Sequence, residues 1–454
     1  MRGDRLASIL AFVAQVFPAG AGGAQDLPFP PGKDPRFDWQ SYDDFNRRIS
    51  LDGQELTVFG PWRGPDARMF GTVLAYFTAA SGVRVSYASS EHYEQQIVID
   101  TQAGSPPDIA ILPQPGLIAD LAARGFLAPL GKTTGDWLER NYAAGASWLR
   151  LGTYPGPDGM PALYGFPYKA ELKSLVWYVP DTFADAGYAV PETLEDLRAL
   201  TGRIAADGRV PWCIGLGSGG ATGWPATDWV EDLLLRRAPV ETYDDWVTNK
   251  IPFTDPAVVQ AIEDFGWFAR NDRFVDGGAA AVAPTDFRDS VAGLFTSPPR
   301  CYLHRQASFI PSYFPEGTRL GQDADFFYFP AAAASNAGRP VLGSGTLAVI
   351  TRDGPAARAF IEFLETPIAH ELWMAQGSFL TPHLRVNKAA YASDTARRQG
   401  EILLGATTFR FDGSDLMPGP VGTGAFWSGM VDYAGGAAAM DVARRIQKVW
   451  DDIR

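Results

Sequence analysis

Gly215-Leu216-Gly217-Ser218-Gly219-Gly220 satisfies the G-x-G-x-x-G spacing whose backbone amides can cradle a pyrophosphate. That chemistry needs the third glycine inside the opening turn of a helix. Here Ala221-Thr222-Gly223-Trp224-Pro225 intervenes, and the bulky Trp224 and rigid Pro225 suit a wall better than a cradle. The loop is expected to shape a groove. No G-x-S-x-G, H-E-x-x-H or G-x-x-x-x-G-K-[ST] pattern occurs, and His92, His304, His370 and His383 have no recognisable nucleophile beside them. Carboxylate pairs such as Asp412 with Asp415, or Glu231 with Asp232, are the material of a glycosidase and equally of solvated helix caps. Cys213 and Cys301 are the two cysteines, with no Cys/His cluster around them, so neither a metal nor a cofactor is expected.

The aromatic residues say more. The chain has 13 Trp, 16 Tyr and 28 Phe, and Trp62, Trp224 and Trp427 stand beside Gly or Pro near polar groups (Arg63 and Asp66; Thr227 and Asp228; Thr423). A sugar ring has an apolar C–H face and a rim of hydroxyls, so a flat indole buries the face while carboxylates and amides meet the rim. Core packing is the alternative for any one of the three.

Regular elements must position these groups. Leu56–Phe59 reads as a strand, 66–80 has apolar residues at helical spacing, and Val83–Tyr87 alternates at period two, which gives β-α-β. A helix at 92–102, a strand at 108–112 and a helix at 117–124 continue the alternation, which predicts a largely parallel sheet covered on both faces. From Tyr164 the pattern changes to two extended crossing runs, 164–169 and 172–178. A second α/β series follows: helices at 194–206, 228–237, 256–270 and 285–295, a strand at 211–216, and strands at 325–329 and 342–350 around an Ala-rich join at 331–339. The chain is therefore expected to cross between two lobes more than once. A final helix, 437–453, offers an apolar face for docking.

With 454 residues, 46% hydrophobic and 20% charged, the chain is long and apolar enough for two substantial cores. Its net charge of −13, with no basic block, argues against nucleic acid and anionic lipid. Residues 1–24 read as a secretory signal peptide: a basic start, an apolar run from Leu6 to Phe17, then small residues up to Ala24. Residues 25–50 read as a surface arm. In an oxidising compartment Cys213 and Cys301 are expected to form a disulfide, worth about 4–5 kcal/mol for so long a loop, and two buried thiols are the alternative.

The order of segments resembles the extracellular solute-binding proteins of ABC sugar importers, the group that includes maltose-binding protein. The likeness runs from about residue 51 to the end, in LTVFGPWRGPD, SPPDIAILPQPG, YGFPYKAELKSLVWY, GWPATDWVEDLLL, VLGSGTLAVITRDGPAARAFIEFLE and LMPGPVGTGAFWSGM. PWCIGLGSG, CYLHRQASF and ATTFRFDGSDLMPG are particularly similar to its α-glucoside-binding branch.

The resemblance implies an α/β, two-lobed periplasmic-binding-protein (Venus flytrap) fold with several inter-lobe crossings. It implies 51–167 plus 304–339 as lobe 1 and 168–303 plus 340–454 as lobe 2. The ligand-binding residues it implies are Trp62, Arg63, Asp66, Glu94, Gln114, Lys169, Glu171, Trp224, Asp228, Arg305, Gly343, Ser344, Gly345, Met417 and Trp427. His304-Arg305-Gln306 stands where maltose-binding protein has an aromatic–Pro–Trp motif. This points away from a long maltodextrin, toward a small glycoside that Lys169, Lys173 or Arg305 could accept in partly anionic form. The reading is a periplasmic monomer without catalytic residues, capturing a small α-glucoside and passing it to a membrane permease. A secreted glycoside hydrolase or lyase using Asp66, Glu94, Glu171 or Asp228 is the rival.

Overall fold

The structure, a computed structural model, describes residues 27–90, 92–143, 145–333, 339–377, 379–406 and 408–453. The expected leader lies outside them. The strands are β1 (Glu55–Gly60), β2 (Arg84–Ser89), β3 (Ile109–Leu112), β4 (Thr153–Pro155), β5 (Pro161–Leu163), β6 (Gly165–Leu172), β7 (Leu175–Tyr178), β8 (His304–Arg305), β9 (Asp325–Tyr328), β10 (Pro340–Ile350) and β11 (Thr408–Phe411).

The main sheet has the order β11-β10-β3-β1-β2, with β6 also on β10. Strands β1, β2 and β3 are parallel, as the β-α-β spacing predicts. Every residue of β3 and β10 is buried, because helices cover both faces, and both strands are accordingly near-continuous apolar runs. The helix Gly64–Ser81 after β1 starts with Pro65 in its first turn and stops at Gly82, whose φ of 78° only glycine adopts freely.

Strand β10 organises the molecule. Its first residues pair with β11 in parallel, its middle with β6, and Leu347–Ile350 with β3, so one strand belongs to both lobes. Beside it β6 runs the other way, from Gly165 against Val349 to Leu172 against Gly343, with an irregularity between Thr346 and Leu347.

This arrangement corrects the expected lobe boundaries. β8 and β9 pair with β7, so 304–328 belongs with the second lobe, not the first. One face of that small sheet (Val176, Phe327) joins the core of Trp212, Trp229 and Phe265. On the other face Trp177 packs on Phe314 and Phe326, at 5.4 and 5.6 Å between ring centres. Conversely, β10 ends against β3, so the chain emerges in the first lobe. The helices Pro355–Leu364 and Pro367–Met374 cover it there, with Phe360 5.2 Å from Phe77 and Phe363 5.1 Å from Phe45.

The expected arm also carries a helix, Trp39–Arg48, whose Tyr42 and Phe45 are buried in the first-lobe core. The expected strand 211–216 is reduced to bridges from Trp212 to Val275 and Leu303. The helix expected at 285–295 is one short turn, Phe287–Ser290, followed by the tighter turn Val291–Phe295. Cys213 and Cys301 form the disulfide, with Cα atoms 5.5 Å apart and 88 residues between them in sequence.

Candidate functional site

A cleft of about 1050 Å³ lies between the lobes. The first lobe contributes 61–67, 87–90 and 92–95, and the second contributes 218–221, Asp286, Arg288, Tyr313, Thr423 and Trp427. The first-lobe residues follow the carboxyl ends of β1 and β2, where open parallel sheets place ligands.

Trp62 is held from both sides. Its N–H donates to Tyr87 Oη at 3.0 Å, the Tyr87 hydroxyl donates back to the Trp62 carbonyl at 2.9 Å, and its ring lies 4.6 Å from Phe70 and 4.7 Å from Trp373. With 6% of its surface exposed it presents only an edge to the cleft. Arg63 and Asp66 open the helix Gly64–Ser81, where a carboxylate complements the N-terminal dipole. Asp66 Oδ1 is shielded from solvent and accepts no hydrogen bond among the described residues. Glu94 accepts from Gln114 Nε2 at 3.2 Å, which places Gln114 behind the cleft as a support for Glu94.

On the second lobe the glycine-rich loop does shape the groove. Phe287 N–H donates to Gly217 O at 3.0 Å, and Gly223 N–H donates to Leu216 O at 3.0 Å. Gly223 has φ of 114°, and a Cβ there would collide with the Trp427 carbonyl, so the loop and the Trp427 backbone touch directly. Trp427 is the first residue of the helix Trp427–Ala434, and its indole N–H donates to Ser414 Oγ at 3.3 Å. Arg288 is paired with Asp286 at 2.9 Å.

Trp62, Arg63, Asp66, Glu94 and Trp427 thus meet at one cleft, and the other expected ligand residues lie elsewhere. Met417 is core. Gly343, Ser344 and Gly345 are paired along β6, and side chains at 343 and 345 would strike Phe409 and the carbonyls of Glu171 and Lys169. These glycines let two crossing strands close up. Trp224 is half-buried against Phe287, at 4.9 Å.

The remaining expected contacts are charged groups enclosed among one another. Lys169 pairs with Glu171, which also accepts from Ser308 Oγ at 2.8 Å. Lys173 bonds Asp228 at 2.7 Å and also Asp412, with its ammonium 5.3 Å from the Trp224 ring centre. Arg305 bonds Asp232 at 2.8 Å, and Asp232 also receives Arg236 at 2.7 Å and Ser174 Oγ at 2.8 Å. Lys169 and Arg305 are both buried and paired with carboxylates, and neither lines the cleft.

Asp228, Glu231 and Asp412 bring carboxylate oxygens within 4.8 Å of one another, the one such grouping among the described residues, and the Lys173 ammonium bonds two of the three. Burial pushes Asp228 up to about 7 against the pull of Lys173. Burial and the neighbouring Asp412 and Asp228 raise Glu231 well above the carboxylate range. Burial works to raise Asp412 too, but Lys173 and hydrogen bonds with Glu231 and Ser414 outweigh it and hold Asp412 at about 2. The cluster is therefore one ionised carboxylate on a lysine, beside acids held toward neutrality.

Several cleft residues escape a reading of local sequence. Tyr87, Ser89, Ser90, His92 and Gln95 follow β2 as Trp62 and Asp66 follow β1, and the same strand-end rule would have found them. Asp286, Arg288 and Tyr313 reach the cleft only through the packing of the segment around the disulfide, and nothing local marks them.

The chain matches the family described as bacterial extracellular solute-binding protein over residues 71–371. It is 68% identical over 432 residues to the alpha-glucosides-binding periplasmic protein AglE of Rhizobium meliloti, covering 95% of this chain and 94% of that one. It is 41% identical over 399 residues to the osmoprotective compounds-binding protein GgtB of Synechocystis, covering 88% and 93%. Among solved structures, the bacterial solute receptor AcbH superposes with a TM-score of 0.75 at 18% identity, over 88% of this chain and 99% of that one, a likeness of fold. The two-lobed α/β architecture, the cleft between strand ends and these similarities lead to one conclusion: the chain belongs to the bacterial extracellular solute-binding proteins, a family of binding proteins.

Proposed function

We propose that this protein is the substrate-binding component of an ABC carbohydrate importer. It takes a small, neutral α-glucoside in the inter-lobe cleft and delivers it to membrane permease subunits. It works as a monomer in the periplasm after loss of residues 1–24. The observation that carries the reading is the convergence of Trp427 and the Trp62 edge with Asp66 and Glu94 on one cleft, an aromatic face beside hydroxyl acceptors. The α-glucosides in the name of the relative at 68% identity support the choice of ligand. The pairing of Lys169, Lys173 and Arg305 inside the protein, and of Arg288 with Asp286, supports a neutral ligand.

Binding proceeds by closure about the passages at β6, β10 and β11. The closed form is populated because only there does the ligand touch both walls. A micromolar Kd corresponds to about −8 kcal/mol, within reach of a stacked ring and several bonded hydroxyls. Calorimetry of residues 25–454 against α-linked disaccharides, osmoprotective solutes and matched uronates tests this. Micromolar binding of a neutral α-glucoside with no heat from the uronate is the expected result. Preference for the uronate refutes neutrality. Release of phenol from an aryl α-glucoside, lost in Glu94→Gln, would restore the hydrolase.

A further inference from the structure

Lys173 stands where the lobes are sewn together. It follows the last residue of β6, its backbone N–H donates to Leu342 O of β10 at 2.9 Å, and its side chain is buried away from the cleft. The ammonium bonds Asp412, and Asp412 Oδ1 accepts both the Ser414 N–H, at 3.0 Å, and the Ser414 hydroxyl, at 2.8 Å. A hydroxyl has one proton. Given to Asp412, it leaves Ser414 Oγ only lone pairs to present, and one accepts the Trp427 indole N–H at 3.3 Å. The direction of this chain depends on Asp412 being an anion. A neutral acid in its place could donate to Ser414 and turn the hydroxyl proton toward the indole N–H. Asp228 and Glu231 bring carboxylate oxygens within 4.8 Å of Asp412, and Lys173 is the cation in contact that favours the anion there, beside hydrogen bonds with Glu231 and Ser414.

We propose that Lys173 is a positioning residue for the ligand-binding wall: its ammonium keeps Asp412 ionised, the anion orients the Ser414 hydroxyl, and the hydroxyl holds the Trp427 indole at the cleft. Gly223 lies against the Trp427 backbone, and the Ser414 hydroxyl meets the indole N–H at the far end of the side chain. Lys173 also lies against Trp224 and bonds Asp228 one turn further along the helix Trp224–Arg237, which ties the helix start to the same cation. The effect on affinity rests on the proposed stacking of sugar on Trp427. The effect on the indole does not.

The test is fluorine NMR on residues 25–454 labelled with 5-fluorotryptophan, the residue 427 signal being assigned by its loss in Trp427→Phe. In sugar-free protein, Lys173→Met and Ser414→Ala are each expected to shift the 427 signal while leaving that of Trp137, in the first lobe, in place. Each is expected to weaken the best α-glucoside about tenfold, as for a lost hydrogen bond. The double variant should lose no more than Ser414→Ala alone, because both act through one chain. Asp412→Asn, unchanged in size, replaces Lys173→Met if that variant does not fold. An unmoved 427 signal in folded Lys173→Met or in Ser414→Ala overturns the proposal, as do additive losses in the double variant. If the unsubstituted protein binds no α-glucoside, the functional reading fails, and the sugar-free spectra still decide the positioning.

Discussion

On the first-lobe wall Asp66 and Glu94 line the cleft, and among the described residues one has an oxygen that accepts no hydrogen bond and the other accepts from the Gln114 amide. On the second lobe Asp228, Asp232 and Asp412 are enclosed, and each is bonded to Lys173, Arg236 or Arg305. The same functional group thus does two jobs. A carboxylate with no cation in contact among the described residues is available to a hydroxyl, whereas one bonded to an internal cation fixes backbone and is lost to the ligand. The second lobe offers the ligand an indole, a glycine-rich loop and the mutually paired Asp286 and Arg288, with Asp228, Asp232 and Asp412 turned inward. The first lobe offers charge, with its aromatic residues turned inward around Trp62.

Breaking the enclosed side has the largest effect. Asp232→Ala leaves Arg236 and Arg305 buried without their shared partner, and should cost about 3–5 kcal/mol in urea unfolding. A loss below 1 kcal/mol would mean that the enclosed charges are replaceable. Next, Trp427→Ala should weaken sugar binding by about 2–4 kcal/mol in calorimetry while the protein stays folded, with Phe recovering part. Unchanged affinity would make Trp427 a core residue.

The enclosed side should also respond to acid. His304 donates from Nδ1 to Cys213 O at 2.9 Å, and burial pulls it from 6.5 down to about 4. With its folded value depressed, the neutral ring contributes stability in full above its unfolded value, and this is lost as pH falls toward the folded one. The loss is on the order of 2–3 kcal/mol. Urea midpoints at pH 7, 5.5 and 4.5 should fall less steeply in His304→Asn, and parallel curves would remove the histidine from the account. The smallest effect belongs to the open side. Asp66→Asn keeps an acceptor but loses the charge, so affinity should drop by about 1 kcal/mol with unfolding nearly unchanged. A stability loss comparable to that of Asp232→Ala would erase the distinction between the walls.

How much of this was legible in sequence follows the range of each interaction. The β1-helix-β2 unit, the glycine-rich groove and Trp427 were legible because local periodicity or neighbouring residues carry them, and the disulfide because the chain has two cysteines and reads as exported. The lobe membership of 304–328 and 355–374 was not. It depends on β8 and β9 choosing β7, and on β10 ending against β3, pairings between residues more than a hundred positions apart. Asp228, Glu231 and Asp232 sit in GWPATDWVEDLLL like solvated helix residues. They are buried because Lys173 and Arg305 arrive from distant segments to join Arg236 of the same helix, and of these pairings only the four-residue spacing of Asp232 and Arg236 is visible in sequence.

Strand β10 also bears on how the chain comes into being. β3 is complete by residue 112, yet the neighbour that covers its open edge is Leu347–Ile350. During synthesis or export, more than two hundred further residues must emerge while Ile109-Ala110-Ile111-Leu112 stands as a bare apolar edge, the kind of surface on which chains pair with one another. The first lobe therefore cannot close before most of the second has emerged. Nearly four-fifths of the sequence must be available before that edge can be covered.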